Sequence, residues 1–351
     1  MLATPNVTPI MRYLFLLGLL VAPALGAQPS RAAACQATAA DSARYRAAAE
    51  YSRGERGDAV LVMKGGCVVY EVYHNGYQAS EPHLLASGTK SFSGVMALLA
   101  QEDGLLKLDE PVSRTIPEWA RDPKRRDITI RDLLTLTSGI DGGPQGRPPA
   151  YADAIKEVPK AARGERFQYG PNPYQIFGEV MRRKLVAAGK DGDVLAYLHT
   201  RLLDPIGLQV GRWQRGRDGN PLLPHGAYLT AREWAKFGQL VLQDGVWNGK
   251  QLLPRGFEKE LFAGTRANPA YGLTWWLGVD VPADVRRDIR QLGSNLQGVA
   301  GVPGLKGMVM AAGALKQRLY VLPELDLVVV RLGRSGPRQF DDGEFLRRVV
   351  R

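Results

Sequence analysis

Two apolar hairpins, one near each end of the chain, restrict the folds open to it more than any other feature. "DAVLVMKGGCVVYEVYHNGY" (Asp58–Tyr77) is a pair of β-branched runs around Gly65-Gly66, the pattern of a tight hairpin. "QRLYVLP" (Gln317–Pro323) and "DLVVVRLG" (Asp326–Gly333) form a second pair near the C-terminus. Between them, from Ser87 to about Trp276, helical patterns alternate with Gly/Pro-rich loops. "ITIRDLLTLTSGI" (Ile128–Ile140) and "LTAREWAKFGQLVLQDG" (Leu229–Gly245) are its clearest helices, entered through Thr129 and Thr230 as caps. Helices are also expected over Ala39–Tyr51 and around Gln339–Val350. Strands at both ends with helices between predict an α/β (α+β) fold. Its antiparallel sheet is built from both chain ends and flanked by helices, with a mostly helical region inserted at about 105–275.

The beginning of the chain has the pattern of an export signal. Arg12 is its only charge, Tyr13–Ala22 is an apolar run too short to span a bilayer, and small residues lie near Gly26 and Ala27. This divides the chain into a signal at 1–27, a linker at 28–44 and one domain at 45–351. It predicts a periplasmic or extracellular protein without stable membrane insertion. The only two cysteines, Cys35 and Cys67, follow the signal. An oxidising compartment then favours a disulfide between them, with two free thiols as the alternative. The formal charge is +11, but the basic residues sit in pairs such as 182–183 and 347–348, without interleaved aromatics. That spread reads as a solvated basic surface and not as a nucleic-acid site.

The stretch "LLASGTKSFSGVMALLAQEDG" (Leu84–Gly104) poses the functional question. Phe92, Val95, Met96, Leu98 and Leu99 recur at helical spacing, so Ser87 and Lys90 fall on one face at the start of a helix. Either Ser87 is the helix cap, or the two are a nucleophile beside its base. Ser-x-x-Lys alone decides nothing, since about one match per chain of this length arises by chance. A serine at a helix start has N–H groups and a positive dipole end nearby to stabilise an oxyanion. A lysine serves as its base only if burial or nearby cations lower its pKa.

"SGTKSFSGVMALLAQEDGLLKLDEPV", "ITIRDLLTLTSGI" and "LDPIGL" (Leu203–Leu208) together resemble the serine β-lactamase and penicillin-binding-protein superfamily. The similar branch is the one holding class C β-lactamases, esterases and 6-aminohexanoate-dimer hydrolases. The resemblance runs from about Ala48 to Gly333. It implies that Ser87 is the acylated nucleophile and Lys90 its partner in proton transfer. "GERFQYGPNPYQIFGEVMRRKL" is similar to the family's Tyr-x-Asn segment and implies Tyr169 as proton relay. Its third position is Pro171, and Asn172, a weaker substrate-binding candidate, follows one residue later. The family's Lys-Thr-Gly strand is replaced by "AAGALKQRLYVLP" (Ala311–Pro323), which resembles the Gly-x-Gly-Gly-Gln strand of the amide hydrolases. That resemblance implies an oxyanion hole formed by the N–H groups of Ser87 and Ala314. The loss of the triplet's cation removes the usual anchor for a β-lactam carboxylate.

His225, one of four histidines, and Trp276 in "YGLTWWLG" lie in segments that resemble the borders of the family's cleft, as weaker substrate contacts. No metal-ligand spacing or cofactor motif is present. The expected protein is an exported serine hydrolase of small esters, amides or peptides, needing no metal or organic cofactor. A β-lactamase or D,D-peptidase is the alternative within enzymes, and a non-catalytic peptidoglycan- or peptide-binding member the alternative outside them.

Overall fold

The computed structural model describes residues 1–2, 36–283, 285–286, 296, 298–336 and 339–351. The expected signal, the start of the linker and Cys35 lie outside the described residues. Cys67, the first residue of its strand, is disulfide-bonded.

The two hairpins meet edge to edge. Strand β1 (Gly57–Lys64) turns through Gly65 and Gly66, at φ 55° and 79°, into β2 (Cys67–Tyr73). The C-terminal half supplies β3 (Trp276–Leu277), β4 (Val309–Gly313), β5 (Gln317–Leu322) and β6 (Leu327–Gly333). Strand β6 pairs antiparallel with β1 from Gly57↔Gly333 to Lys64↔Leu327. The resulting order is β2-β1-β6-β5-β4-β3, antiparallel throughout. The sheet built from both chain ends is therefore present.

Strands β1, β5 and β6 are buried almost along their whole length, so both sheet faces are covered. On one face lie α1 (Ala39–Gly54) and α6 (Asp342–Val350), whose rings pair as Tyr45–Tyr70 and Tyr320–Phe345. On the other lies the amphipathic helix α5 (Ala231–Leu242), entered through Thr230. Gly238 lets it approach the sheet closely, since an added Cβ there would come within 2.7 Å of Val328 and 2.8 Å of Leu319.

Three expectations change. Helix α1 begins at Ala39, capped by Thr38, with Asp41 and Tyr45 buried, so the segment assigned to a linker at 28–44 is already domain from Ala39. The helix expected over Ile128–Ile140 is only α3 (Ile130–Leu134). Thr129 and Asp132 form its capping box, but Leu136 at φ 61° turns the chain away one residue past Thr135. Finally, the insertion expected at about 105–275 contains α5, which packs on the sheet and does not belong to the helical lobe. That lobe includes α3 and α4 (Asn172–Ala187). Between lobe and sheet runs α2 (Ser91–Glu102), buried from Ser91 to Ala100. No described helix is long and apolar enough to cross a membrane.

Candidate active site

Ser87 is not a helix cap. A short strand, His83–Leu84, pairs with Ala227–Leu229, and Leu85 N–H continues the ladder to the Ala227 carbonyl at 2.9 Å. The chain then enters a 3₁₀ turn, Ala86–Lys90, that runs directly into α2, and neither start carries a side-chain cap. With three residues per turn, side chains three apart are eclipsed. Ser87 and Lys90 are thereby stacked, and the lysine Nζ donates to Ser87 Oγ at 2.9 Å. Ala86 at φ 48° sets the entry, and Gly88 lies where a Cβ would come within 2.7 Å of the Trp234 ring.

Lys90 is 3% exposed and its ammonium has a second acceptor, the Pro224 carbonyl at 2.9 Å. Its remaining surroundings are aromatic: the Tyr169 and Tyr174 ring centres lie 4.9 and 5.3 Å away. No carboxylate is among its partners in the described residues. Burial alone pushes its pKa down to about 7, because a low-dielectric site penalises the charged form.

Tyr169 sits on the loop before α4. Two glycines let that loop cross its neighbour: a Cβ on Gly170 would lie 2.1 Å from the Gly142 carbonyl, and one on Gly142 2.2 Å from the Tyr169 carbonyl. Behind the Tyr169 ring stand Trp276 at 5.9 Å and Tyr271 at 6.2 Å. Tyr271 also shares a 2.7 Å hydroxyl contact with Tyr174. Burial pushes the Tyr169 phenol up to about 12, partly offset by the Ser87 hydroxyl and the charge of Arg318. Ser87 thus has the amine on one side and the phenol on another.

The remaining sequence candidates separate. Trp276 is buried and forms the wall behind Tyr169. Asn172 is buried, its amide donates to the Asp141 carbonyl at 3.1 Å, and it packs where a Cβ on Gly143 would be 2.4 Å away. That side chain holds the 141–143 loop beneath Tyr169. His225 follows Pro224 and is half-buried; burial and the charge of Lys90 push its pKa down to about 4. It is a neutral imidazole at pH 7. Ala314 opens the turn after β4, whose last residue presses on the Ser87 segment: a Cβ on Gly313 would lie 1.9 Å from the Leu85 carbonyl. Lys316 points away from the cleft and pairs with Asp342. Among the described residues no three His, Cys, Asp or Glu side chains gather as metal ligands.

Tyr174 and the Pro224 carbonyl belong to the lysine's surroundings, with Tyr271 bonded to Tyr174 behind them, and sequence reasoning gave none of them a role there. A tyrosine three residues after a Tyr-x-Asn-like segment was visible, but the backbone acceptor has no sequence signature.

A serine hydroxyl bonded to a buried, carboxylate-free lysine between a helix-covered sheet and a helical lobe defines the Ser-x-x-Lys class of serine hydrolases. The sequence model described as Beta-lactamase matches residues 32–349, and the chain belongs to that family. The chain is 24% identical over 311 residues to the 6-aminohexanoate-dimer hydrolase of Paenarthrobacter ureafaciens, covering 78% of this chain and 72% of that protein. It is 28% identical over 155 residues to the lovastatin esterase of Penicillium rubens, 35% of this chain and 37% of the esterase. Among solved structures it resembles EstCE1, "a hydrolase with promiscuous acyltransferase activity", at a TM-score of 0.66 and 16% identity, over 87% of this chain and 96% of that one.

Proposed function

We propose that the protein hydrolyses an uncharged ester or amide through an acyl-enzyme on Ser87. The observation that carries this is the 2.9 Å contact from Lys90 Nζ to Ser87 Oγ, made by an amine whose pKa lies at about 7. Once neutral, Lys90 takes the hydroxyl proton as Oγ bonds to the carbonyl carbon. The N–H groups of Ser87 and Ala314 hold the resulting oxyanion. Tyr169 delivers the proton to the leaving group as its bond breaks, and water then releases the acid by the reverse sequence. Trp276 and His225 border the substrate, and Asn172 supports the tyrosine loop from behind.

One structural feature favours a substrate without a carboxylate. Lys316 and Arg318, the cations nearest the strand end, are both buried against Asp342. The relatives above, named as a lovastatin esterase and a 6-aminohexanoate-dimer hydrolase, support ester or amide cleavage but not the absence of a carboxylate, since an aminohexanoate dimer carries one. A p-nitrophenyl butyrate turnover exceeding that of nitrocefin is therefore expected, and the opposite ranking would reverse the substrate assignment. Export to an oxidising compartment is part of the same proposal, supported by the disulfide-bonded Cys67.

The decisive test is Ser87→Ala. It should abolish labelling by a fluorophosphonate probe and nearly all ester turnover while leaving the melting temperature unchanged. An active Ser87→Ala protein would refute the assignment.

A further inference from the structure

The hairpin end that carries Ala314 is held by charges buried beneath the sheet. Between β4 and β5 the chain turns through Ala314, Leu315 and Lys316, with Leu315 at φ 57° and Lys316 at φ 64°. L-residues adopt two successive left-handed conformations only when something else fixes them. Arg318, 2% exposed, is bound through Nε and Nη2 to Asp342, and its Nη1 donates to the Gly313 carbonyl at 3.0 Å and the Gln317 carbonyl at 2.9 Å. Arg331 Nη1 donates to the Lys316 carbonyl at 2.7 Å, and Tyr320 donates to Asp342 at 2.7 Å. The carbonyls on both sides of the turn thus accept from buried guanidinium groups.

This matters because Gly313 and Ala314 share one peptide unit. The unit is planar and trans, so a carbonyl pinned toward Arg318 forces the Ala314 N–H to point away from it. A cationic donor on the oxygen also polarises the amide and strengthens that N–H as a donor. We propose that Arg318 is a positioning residue for the oxyanion hole, orienting and polarising the Gly313–Ala314 peptide. Asp342 fixes the guanidinium from behind, and Arg331 holds the far side of the turn. The inference rests on the hydrolase reading above and adds the origin of its second oxyanion donor.

Arg318→Lys tests it, since one ammonium keeps the charge but lacks the fork that spans Asp342 and the two carbonyls. With p-nitrophenyl butyrate, kcat should fall about 10–100-fold with KM within about twofold, the split expected when only transition-state binding is lost. An alkylboronic acid reports the same contact, because Ser87 Oγ bonds to boron and forms a tetrahedral anion in the oxyanion hole. Its affinity should fall by a factor similar to that in kcat. A purely structural role would lower the melting temperature and leave both ratios alone. Folded Arg318→Lys with wild-type kcat and boronate affinity overturns the proposal. If that variant does not fold, Asp342→Asn, which loosens the guanidinium without removing it, should weaken boronate binding about 2–10-fold; unchanged affinity overturns the proposal equally. Failure of the hydrolase reading would look different: the wild-type protein would itself neither bind the boronate nor be labelled at Ser87.

Discussion

Lys90, in the turn before α2, and Arg318, at the start of β5, are each removed from water, at 3% and 2% exposure. Their surroundings differ in one respect. Arg318 faces a fully buried carboxylate, Asp342, whereas Lys90 faces a hydroxyl, a backbone carbonyl and two aromatic rings. Burial works against the charge of both, but Asp342 overrides it and raises the arginine's pKa. Nothing overrides it at Lys90, which falls to about 7. Charge that a partner locks in place serves the scaffold, and charge left to burial alone becomes a proton acceptor near neutrality.

Deleting each side chain breaks the comparison most directly. Lys90→Met should cost about 10²–10⁴-fold in kcat/KM, the range for a lost proton-transfer group. Its melting temperature should stay level or rise, because an unpaired buried amine is removed and no carboxylate is orphaned. Asp342→Leu should do the reverse to stability, losing about 3–5 kcal/mol by leaving Arg318 charged and unpaired. Denaturant titration of the two variants beside wild type checks this; a destabilised Lys90→Met protein would place the lysine with the scaffold.

Tyr169→Phe should cost less, near the lower end of about 10²–10⁴-fold, because the ring still packs against Trp276 and Lys90. Steady-state kinetics with esters of graded leaving-group pKa would sharpen the point. Good leaving groups, which need no proton, should be least affected.

The two sites also predict stability slopes of the same sign in different pH windows. Lys90 must lose its proton to act, so kcat/KM should rise with a limb near pH 7. Its folded pKa lies below the ordinary 10.5, so between about pH 7 and that value the unfolded chain binds the additional proton. Stability from this group therefore grows as pH rises through that window. Asp342 is held below its ordinary 3.8, despite burial, by the charge and hydrogen bonds of Arg318. Its contribution is present above that value and is lost as pH falls. Comparing unfolding of wild type and Lys90→Met from pH 7 to 10 isolates the first slope. Absence of any difference in slope would mean the buried amine stays charged.

How far the chain could be read ahead of its structure follows the same divide. Ser87 and Lys90 were visible as a spacing, and the sheet as two hairpins, because both are local patterns. The 3₁₀ geometry that stacks the pair was not, since an apolar stripe beginning at Phe92 fits a longer α-helix equally well. Helix α3 was overextended for a related reason: its apolar pattern continues past Leu134, but Leu136 at φ 61° reverses the chain. Arg318 and Asp342 are 24 residues apart, and nothing in either segment marks them as partners. Tyr169 entered as a candidate through family resemblance alone.

The smallest expected effects concern the candidates at the border of the site. With a pKa near 4, the His225 ring is already neutral where Lys90 titrates. His225→Asn should therefore leave the pH 7 limb in place, and disappearance of that limb would transfer the titration from the lysine to the imidazole. Asn172 differs in kind, because its amide bonds to the Asp141 carbonyl under the tyrosine loop. Asn172→Ala should cost about 1 kcal/mol of stability, the usual worth of one such bond, with kcat/KM changed only as far as Tyr169 shifts. A large rise in KM with unchanged stability would instead put Asn172 in contact with substrate. That outcome would extend the region left to burial and chemistry one residue beyond the lysine's aromatic shell.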